Sequence, residues 1–167
     1  MSVLHRVSFA LAVVAALSLG PWIAAPLLGD EPESHSSESA HAEHHPNLLA
    51  GFVGVALEDR RDNGLAVGIE YERRISKRFG VGGLVEHTFG DLDATVYAVP
   101  FAFHLGPWKL YGAPGIEDGQ HGTEGLFRIG AEYGFQMGSW EISPQVDLDF
   151  VDGDQVFVTG VTFGKGF

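Results

Sequence analysis

The stretch Phe127-Arg128-Ile129-Gly130-Ala131-Glu132-Tyr133-Gly134-Phe135 places apolar residues at every odd position and glycine or charge at every even one. A period of two is the signature of a β-strand with two unlike faces. The same rule governs Leu65, Val67, Ile69 and Tyr71 against Ala66, Gly68, Glu70 and Glu72. It governs Tyr97, Val99, Phe101, Phe103 and Leu105 against Ala98, Pro100, Ala102 and His104. It recurs in Ile142 to Phe150, where Ser143, Gln145, Asp147 and Asp149 fill the alternate places, and in Phe157 to Phe167. No stretch after residue 47 carries a helical period.

Turn residues cut this region into eight segments, near 47–58, 64–75, 79–90, 94–105, 108–117, 125–137, 140–151 and 155–167. The joints are Asp62-Asn63-Gly64, Ser76-Lys77-Arg78, Gly90-Asp91-Leu92-Asp93, Gly106-Pro107, Asp118 to Glu124, Gly138-Ser139 and Asp152-Gly153-Asp154, all made of residues that favour hairpin loops. Segments of this length exceed the five or six residues usual in soluble sheets and suit tilted strands that cross a bilayer. The joints after the second, fourth and sixth segments read as tight, and those after the first, third and fifth as longer, so both termini belong on the short-turn side.

Alternation alone does not say which face meets water. Eight strands enclose a narrow lumen, and the frequent Gly and Ala on the polar face fit such a space better than a wet surface. Trp108, Trp140, Tyr71, Phe79, Phe89 and Phe167 lie near segment ends, where the aromatic girdles of a membrane barrel belong. The reading is therefore all-β: a closed antiparallel up-and-down transmembrane β-barrel of about eight strands over 47–167. The final segment, Val156 to Phe167, alternates apolar residues and ends on phenylalanine. In this it resembles the terminal-strand signal of outer-membrane barrels, and 47–167 resembles the small eight-stranded barrels of the OmpA-transmembrane-domain and OmpX kind. The resemblance implies a bacterial outer-membrane location, outer-membrane lipid and lipopolysaccharide as surroundings, and barrel-assembly machinery as a partner that reads Phe167. It brings no catalytic motif.

Two features sit awkwardly in such a barrel. Pro100, Pro114 and Pro144 fall within strands, and pairing the fourth segment with the fifth about Gly106-Pro107 brings Pro100 near Pro114, which predicts a bulge or an unpaired patch there. Arg73 and Lys165 fall on the lipid face, so they must sit where long cations can reach an interface.

Ahead of the barrel, Arg6 precedes the apolar run Val7–Leu19, which Gly20-Pro21 ends at signal-peptide length. Residues 1–29 read as a signal peptide, with Gly29 before Asp30 a plausible cleavage site and an uncleaved anchor the alternative. Residues 30–46 form an acidic, Ser-rich linker too poor in apolar residues to fold alone, with five acids and no Lys or Arg. Its His35, His41, His44 and His45 could take a divalent metal such as zinc, nickel or copper, or stand as incidental residues of a solubilising tail. No other cofactor is implied, and the absence of cysteine removes any disulfide framework.

A net charge of −12 argues against nucleic acid as a partner and favours divalent cations or basic ones. The predicted lumen holds Glu70, Glu72, Arg74, Glu86, His104, Lys109, Arg128, Glu132, Asp147 and Asp149, and with them Glu117 and Glu141. Charges in so confined a space must pair, and their bland reading is a salt-bridge network that plugs the barrel; the excess of acids also fits a cation path or a bound metal. Acidic residues of the outer joints could bridge divalent cations to lipopolysaccharide phosphates. His87 and Ser143 invite comparison with lipid hydrolases built on barrel walls, but they fall at opposite ends of non-adjacent segments. The leading reading is a non-enzymatic outer-membrane barrel with a structural or small-solute or ion passage role. The alternatives are a His-rich metal-binding tail assisting metal uptake or sensing and, far behind it, a lipid-modifying enzyme.

Overall fold

A sheet whose strands carry apolar side chains on one face and must leave no edge unpaired is driven to close on itself. The computed structural model, which describes residues 45–58, 62–120 and 122–167, shows this closure. Eight antiparallel strands are present: β1 Asn47–Glu58, β2 Asp62–Arg74, β3 Phe79–Gly90, β4 in two pieces (Ala94–Ala98 and Phe101–Leu105), β5 Trp108–Gly119, β6 Gly122–Tyr133 with its continuation Phe135–Met137, β7 Trp140–Val151 and β8 Asp154–Gly166. Each strand pairs with its neighbours in sequence, and β8 pairs with β1 from Leu48↔Gly166 to Glu58↔Val156. The Asn47 N–H donates to the Phe167 carbonyl at 3.2 Å and the Phe167 N–H returns to Asn47 at 3.0 Å, which seals the seam where the first strand starts and the last one ends.

The register fixes the shape of the barrel. From Asn47 the path of paired residues runs through Arg73, Val81, Phe101, Gly112, Ile129, Leu148 and Phe157, and re-enters β1 at Leu57. The displacement of ten positions, from 47 to 57, is the shear of the barrel, and with eight strands it belongs to the usual tilt of about 35–45°. A strand of 12 residues so tilted rises roughly 30 Å, the thickness of a bilayer's hydrocarbon core. No helix among the described residues is long and apolar enough to cross a membrane.

Burial is inverted relative to a soluble protein. Ile69 is 63% exposed and Phe101 58% exposed on the outer face, while Arg128 inside the barrel is 0% exposed. The bulky outer face and the small or charged inner face are those the alternation predicts. Outward aromatic side chains gather at the end that carries the termini, where Phe79 packs on Phe103 (ring centroids 5.1 Å apart) and Trp108 on Tyr133 (5.0 Å). Lys165 lies over the Trp140 ring at 5.5 Å, and Arg73 is exposed beside Asn47, so both outward cations sit at this rim as snorkelling requires.

The prolines shape the wall as an unpaired patch, without a bulge. β4 is interrupted at Val99-Pro100, yet both of its pieces keep one register against β3 (Leu84↔Ala98, Val81↔Phe101) and against β5 (Ala98↔Gly115, Phe101↔Gly112). The Gly82 N–H reaches the Pro100 carbonyl and the Val99 N–H the Pro114 carbonyl, each at 3.0 Å, but neither proline has an N–H to return. The ladder thus loses two bonds on adjacent seams with no residue inserted. β6 breaks at Gly134 for the same reason, because Tyr133 faces Pro144 in the register that runs from Glu132↔Gln145 to Phe135↔Ile142.

The loops depart from the expected long–short alternation. The Asp118 to Glu124 joint is almost wholly strand: Glu117 pairs with Glu124, Asp118 with Thr123 and Gly119 with Gly122. The positive φ of Gly122 (112°) allows a reversal that tight, and the Thr123 hydroxyl ties back to Asp118 at 2.9 Å. The longest connection among the described residues is instead the terminus-side turn 75–78, between β2 and β3. Residues 1–44, which hold the expected signal peptide and most of the linker, lie outside the described residues; the linker's last residue, Pro46, already accepts the Arg74 N–H at 2.8 Å.

Pro114 faces outward and fills no cavity, so Pro114→Ala supplies the missing donor to Val99 at little other cost. An unpaired carbonyl in lipid is more expensive than the unfolded-state entropy that proline removes. The substitution is expected to stabilise the barrel by about 1 kcal/mol, read as a higher midpoint for urea unfolding in lipid vesicles.

Candidate functional site: the charged lumen

Alternation aims the even-numbered side chains of β2, β3, β4 and β6 and the odd-numbered ones of β5 and β7 into the barrel. The charged ones meet there in two layers. In the layer nearer the termini, Lys109 Nζ (β5) lies 2.5 Å from Glu70 Oε1, 2.9 Å from Glu132 Oε1 and 3.5 Å from Glu72 Oε2. His104 Nε2 (β4) lies 2.6 Å from Glu72 Oε1, and Arg74 Nη2 donates to His104 Nδ1 at 3.3 Å. Since Arg74 can only donate, Nδ1 accepts and the imidazole presents its N–H from Nε2 to the carboxylate. Arg74 itself is partly exposed at the mouth and closes the layer against water.

The second layer centres on Arg128 (β6), whose guanidinium makes two forks. Nε and Nη2 reach Asp149 (β7) at 2.6 and 2.7 Å, and Nη1 and Nη2 reach Glu86 (β3) at 3.1 and 2.8 Å. Planar, bidentate pairing of this kind is the strongest geometry open to arginine. Asp147 stands 3.9 Å from Nη1 and is held by the Tyr111 hydroxyl and Gln145 Nε2, both at 2.5 Å. The Thr162 hydroxyl donates to Gln145 Oε1 at 2.5 Å. Lys109 Nζ sits 5.1 Å from the Tyr111 ring centroid, which joins the layers. Every strand except β1 contributes a side chain to this web.

Local sequence makes room for it. Arg128 and Asp149 are direct cross-strand partners, as are Lys109 and Glu132. Gly130 lies between Tyr111 and Asp147 in the register, and a Cβ there would collide with both the Tyr111 ring and the Asp147 carboxylate. Apolar side chains fill the lumen around and beyond Arg128. One cluster unites Leu84, Val96, Leu126 and Val151 with Tyr111 and several alanines; another unites Phe52, Ala56, Ala66 and Val158, against which Leu92 of the β3–β4 loop packs like a stopper.

The ten lumen residues expected from the sequence, Glu70, Glu72, Arg74, Glu86, His104, Lys109, Arg128, Glu132, Asp147 and Asp149, all lie on the inner face. Glu117 and Glu141, also expected in the lumen, are only half-buried there; Glu141 accepts from Gln136 and from the Ser143 hydroxyl, the latter at 3.0 Å. Tyr111, Gln145, Thr162 and Phe52 were missed as lumen groups, although each keeps the inner phase of its own strand. Ser143 is buried inside the barrel, whereas His87 faces outward, accepting from or donating to the Thr95 hydroxyl at 2.9 Å and lying 3.7 Å from Asp93. The two are therefore on opposite sides of the wall. Of the linker histidines, His35, His41 and His44 lie outside the described residues; His45 packs beside Gly166. No group of three metal-ligating side chains occurs among the described residues.

No known family matches the sequence, and no curated relative does. Solved structures match the architecture. The N-terminal β-barrel domain of Pseudomonas aeruginosa OprF aligns with a TM-score of 0.54 at 11% identity, over 74% of this chain and 98% of that one. Neisserial surface protein A (NspA) aligns at 0.52 and 11% identity, over 72% and 96%. The Yersinia pestis attachment invasion locus protein Ail, in complex with the heparin analogue sucrose octasulfate, aligns at 0.51 and 19% identity, over 72% and 97%. The fold is that of the small outer-membrane β-barrels. Because identity is this low, the likeness is one of fold, and the lumen's chemistry rests on this chain's own residues.

Arg128→Met leaves Glu86 and Asp149 facing each other without their cation. The barrel is expected to lose about 3–5 kcal/mol of stability, measured by urea unfolding in vesicles. Adding Glu86→Gln and Asp149→Asn removes the stranded charges and is expected to recover most of that loss.

Proposed function

We propose that this chain is a non-enzymatic outer-membrane barrel with a structural role, a sealed wall-spanning anchor. The observation that carries the reading is the filled lumen: Arg128, forked between Glu86 and Asp149 with no exposure to solvent, spans the barrel between β3 and β7. The apolar clusters pack around it, with Val96, Leu126 and Val151 on its far side, and toward the termini Lys109 gathers three carboxylates. A hydrated ion entering this space would have to break two bidentate pairs and then cross an apolar layer.

In this reading residues 1–29 direct export and are removed, and 30–46 emerge as a tail on the terminus side, which is the periplasmic one. Phe167 serves as the recognition residue for the assembly machinery, in keeping with its exposed ring at the end of β8. The acidic loops at the opposite end face lipopolysaccharide, whose phosphates divalent cations would bridge to them.

The sealed lumen is tested in planar bilayers. The intact barrel is expected to give no discrete conductance steps, and reproducible steps from it would overturn the proposal. The combined replacement Glu86→Ala, Tyr111→Ala and Arg128→Ala is expected to produce steps, because it removes the bridge and the side chains that join the two layers.

A further inference from the structure

The charged residues at the two rims of the barrel are segregated by sign. At the far rim the described charged residues are acids, among them Asp91, Asp93, Asp118, Glu124, Asp152 and Asp154. At the terminus-side rim, Arg73, Lys77, Arg78 and Lys165 are exposed, and none forms an ion pair with a described residue. These four do not ring the barrel. The other two turns on this side, Gly106-Pro107 and Gly138-Ser139, carry no charge, so the cations occupy one sector made of β8, β1, β2 and the β2–β3 turn.

Within that sector the register brings the cations to the start of β1 from both sides. Arg73 pairs with Asn47, and Lys165 pairs with Leu49. They flank β1 two interstrand spacings apart and two residues out of line, about 12 Å between backbones, and Lys165 must swing off the Trp140 ring for the two long side chains to close around one phosphate. The surroundings are those of a membrane interface. Trp140, Lys165, Leu49 and Tyr71 form one outward row across β7, β8, β1 and β2. Lys165 rests on the Trp140 ring, and the Tyr71 hydroxyl donates to Asn47 Oδ1 at 2.9 Å. In the adjoining turn, Ile75 is 70% exposed beside Lys77 and Arg78, an apolar tip flanked by cations.

We propose that this sector binds the phosphate headgroup of an anionic phospholipid of the phosphatidylglycerol class, held between Arg73 and Lys165 with Lys77 and Arg78 adding to the attraction. The proposal rests on the membrane reading given above. A net charge of −12 repels anionic lipid, so any preference for such a lipid must be local. Unpaired cations at a lipid–water boundary attract anionic headgroups, and their attractions add. The aromatic row fixes their depth.

The full-length protein, refolded in mixed phosphatidylcholine and phosphatidylglycerol vesicles, is released for native mass spectrometry and its retained lipids are counted. Phosphatidylglycerol is expected to be retained about tenfold over its share in the vesicle. The preference is expected to vanish in Arg73→Gln with Lys165→Gln, to weaken in Lys77→Ser with Arg78→Ser, and to survive Asp118→Asn with Asp154→Asn at the far rim. Heat-modifiable gel mobility reports insertion independently. A chain that inserts in no vesicle would overturn the membrane reading itself. An inserted barrel that retains both lipids equally, or whose preference ignores the rim cations, would overturn the headgroup site alone. Loss of the preference on adding inorganic phosphate would also overturn it, since the site would then take free phosphate. Should the Arg73 and Lys165 pair fail to fold, the turn variants, which lie outside the wall, decide the outcome.

Discussion

The closing seam between β8 and β1 is the constraint on which the rest of the barrel depends. In lipid a backbone N–H or C=O without a partner costs several kcal/mol, so eight strands that expose Ile69 and Phe101 outward can exist there only as a closed sheet. Closure with a shear of ten fixes which side chains share a height inside the barrel. Arg128 meets Asp149 because they are register partners, and it meets Glu86 because β3 and β6 face each other across the small circumference. The lumen's ion pairs are therefore consequences of the register, and a slip of one residue would turn every one of them into lipid.

The same closure explains why the interior holds charge at all. A buried ion pair is weak evidence of stability when an apolar core could replace it. In a membrane barrel the outer face already claims the bulky apolar residues, and an apolar lumen would leave nothing to tell one face from the other. The polar inner face thus serves specificity. The double-forked Arg128 and the Lys109 cluster are satisfied only when five strands stand in one arrangement, which makes the inside-out alternative and neighbouring registers costly.

Period two carried most of this architecture into view. The segments 47–58, 79–90 and 140–151 coincide with β1, β3 and β7, and the ten lumen groups follow from phase alone. Two kinds of error have physical causes. Tyr111 and Phe52 were lost because bulk was equated with the outer face, whereas neighbouring glycines open space for a ring: Gly130 opposite Tyr111, and Gly54 with Gly160 one inward position along from Phe52. The loop lengths were misjudged because Gly, Asp and Thr at 118–124 read as turn formers by composition, yet residues that merely tolerate a turn also extend when a partner strand offers hydrogen bonds. The pairing distances inside the lumen were beyond reach, since they depend on the shear, which no local pattern encodes.

The three wall prolines show what the closed sheet tolerates. Pro100 and Pro114 remove donors from adjacent seams at one height, and β4 answers with a gap while the register on both sides stays intact. Two of the three interruptions lie on this flank and the third, opposite Pro144, opens the β6–β7 seam, whereas the seam between β1 and β8 keeps an unbroken ladder of eleven paired positions. Strength at the seam and slack on the opposite flank are what an assembly that must close last at β8 would require. Pairing the two terminal strands repays the largest loop-closure entropy in the chain, so a defect there would cost more than the same defect at β4. The proline-bearing flank is joined by short hairpins that hold its strands together even where a bond is missing. The distribution of defects thus follows the order in which the sheet can form, local hairpins first and the long-range seam last.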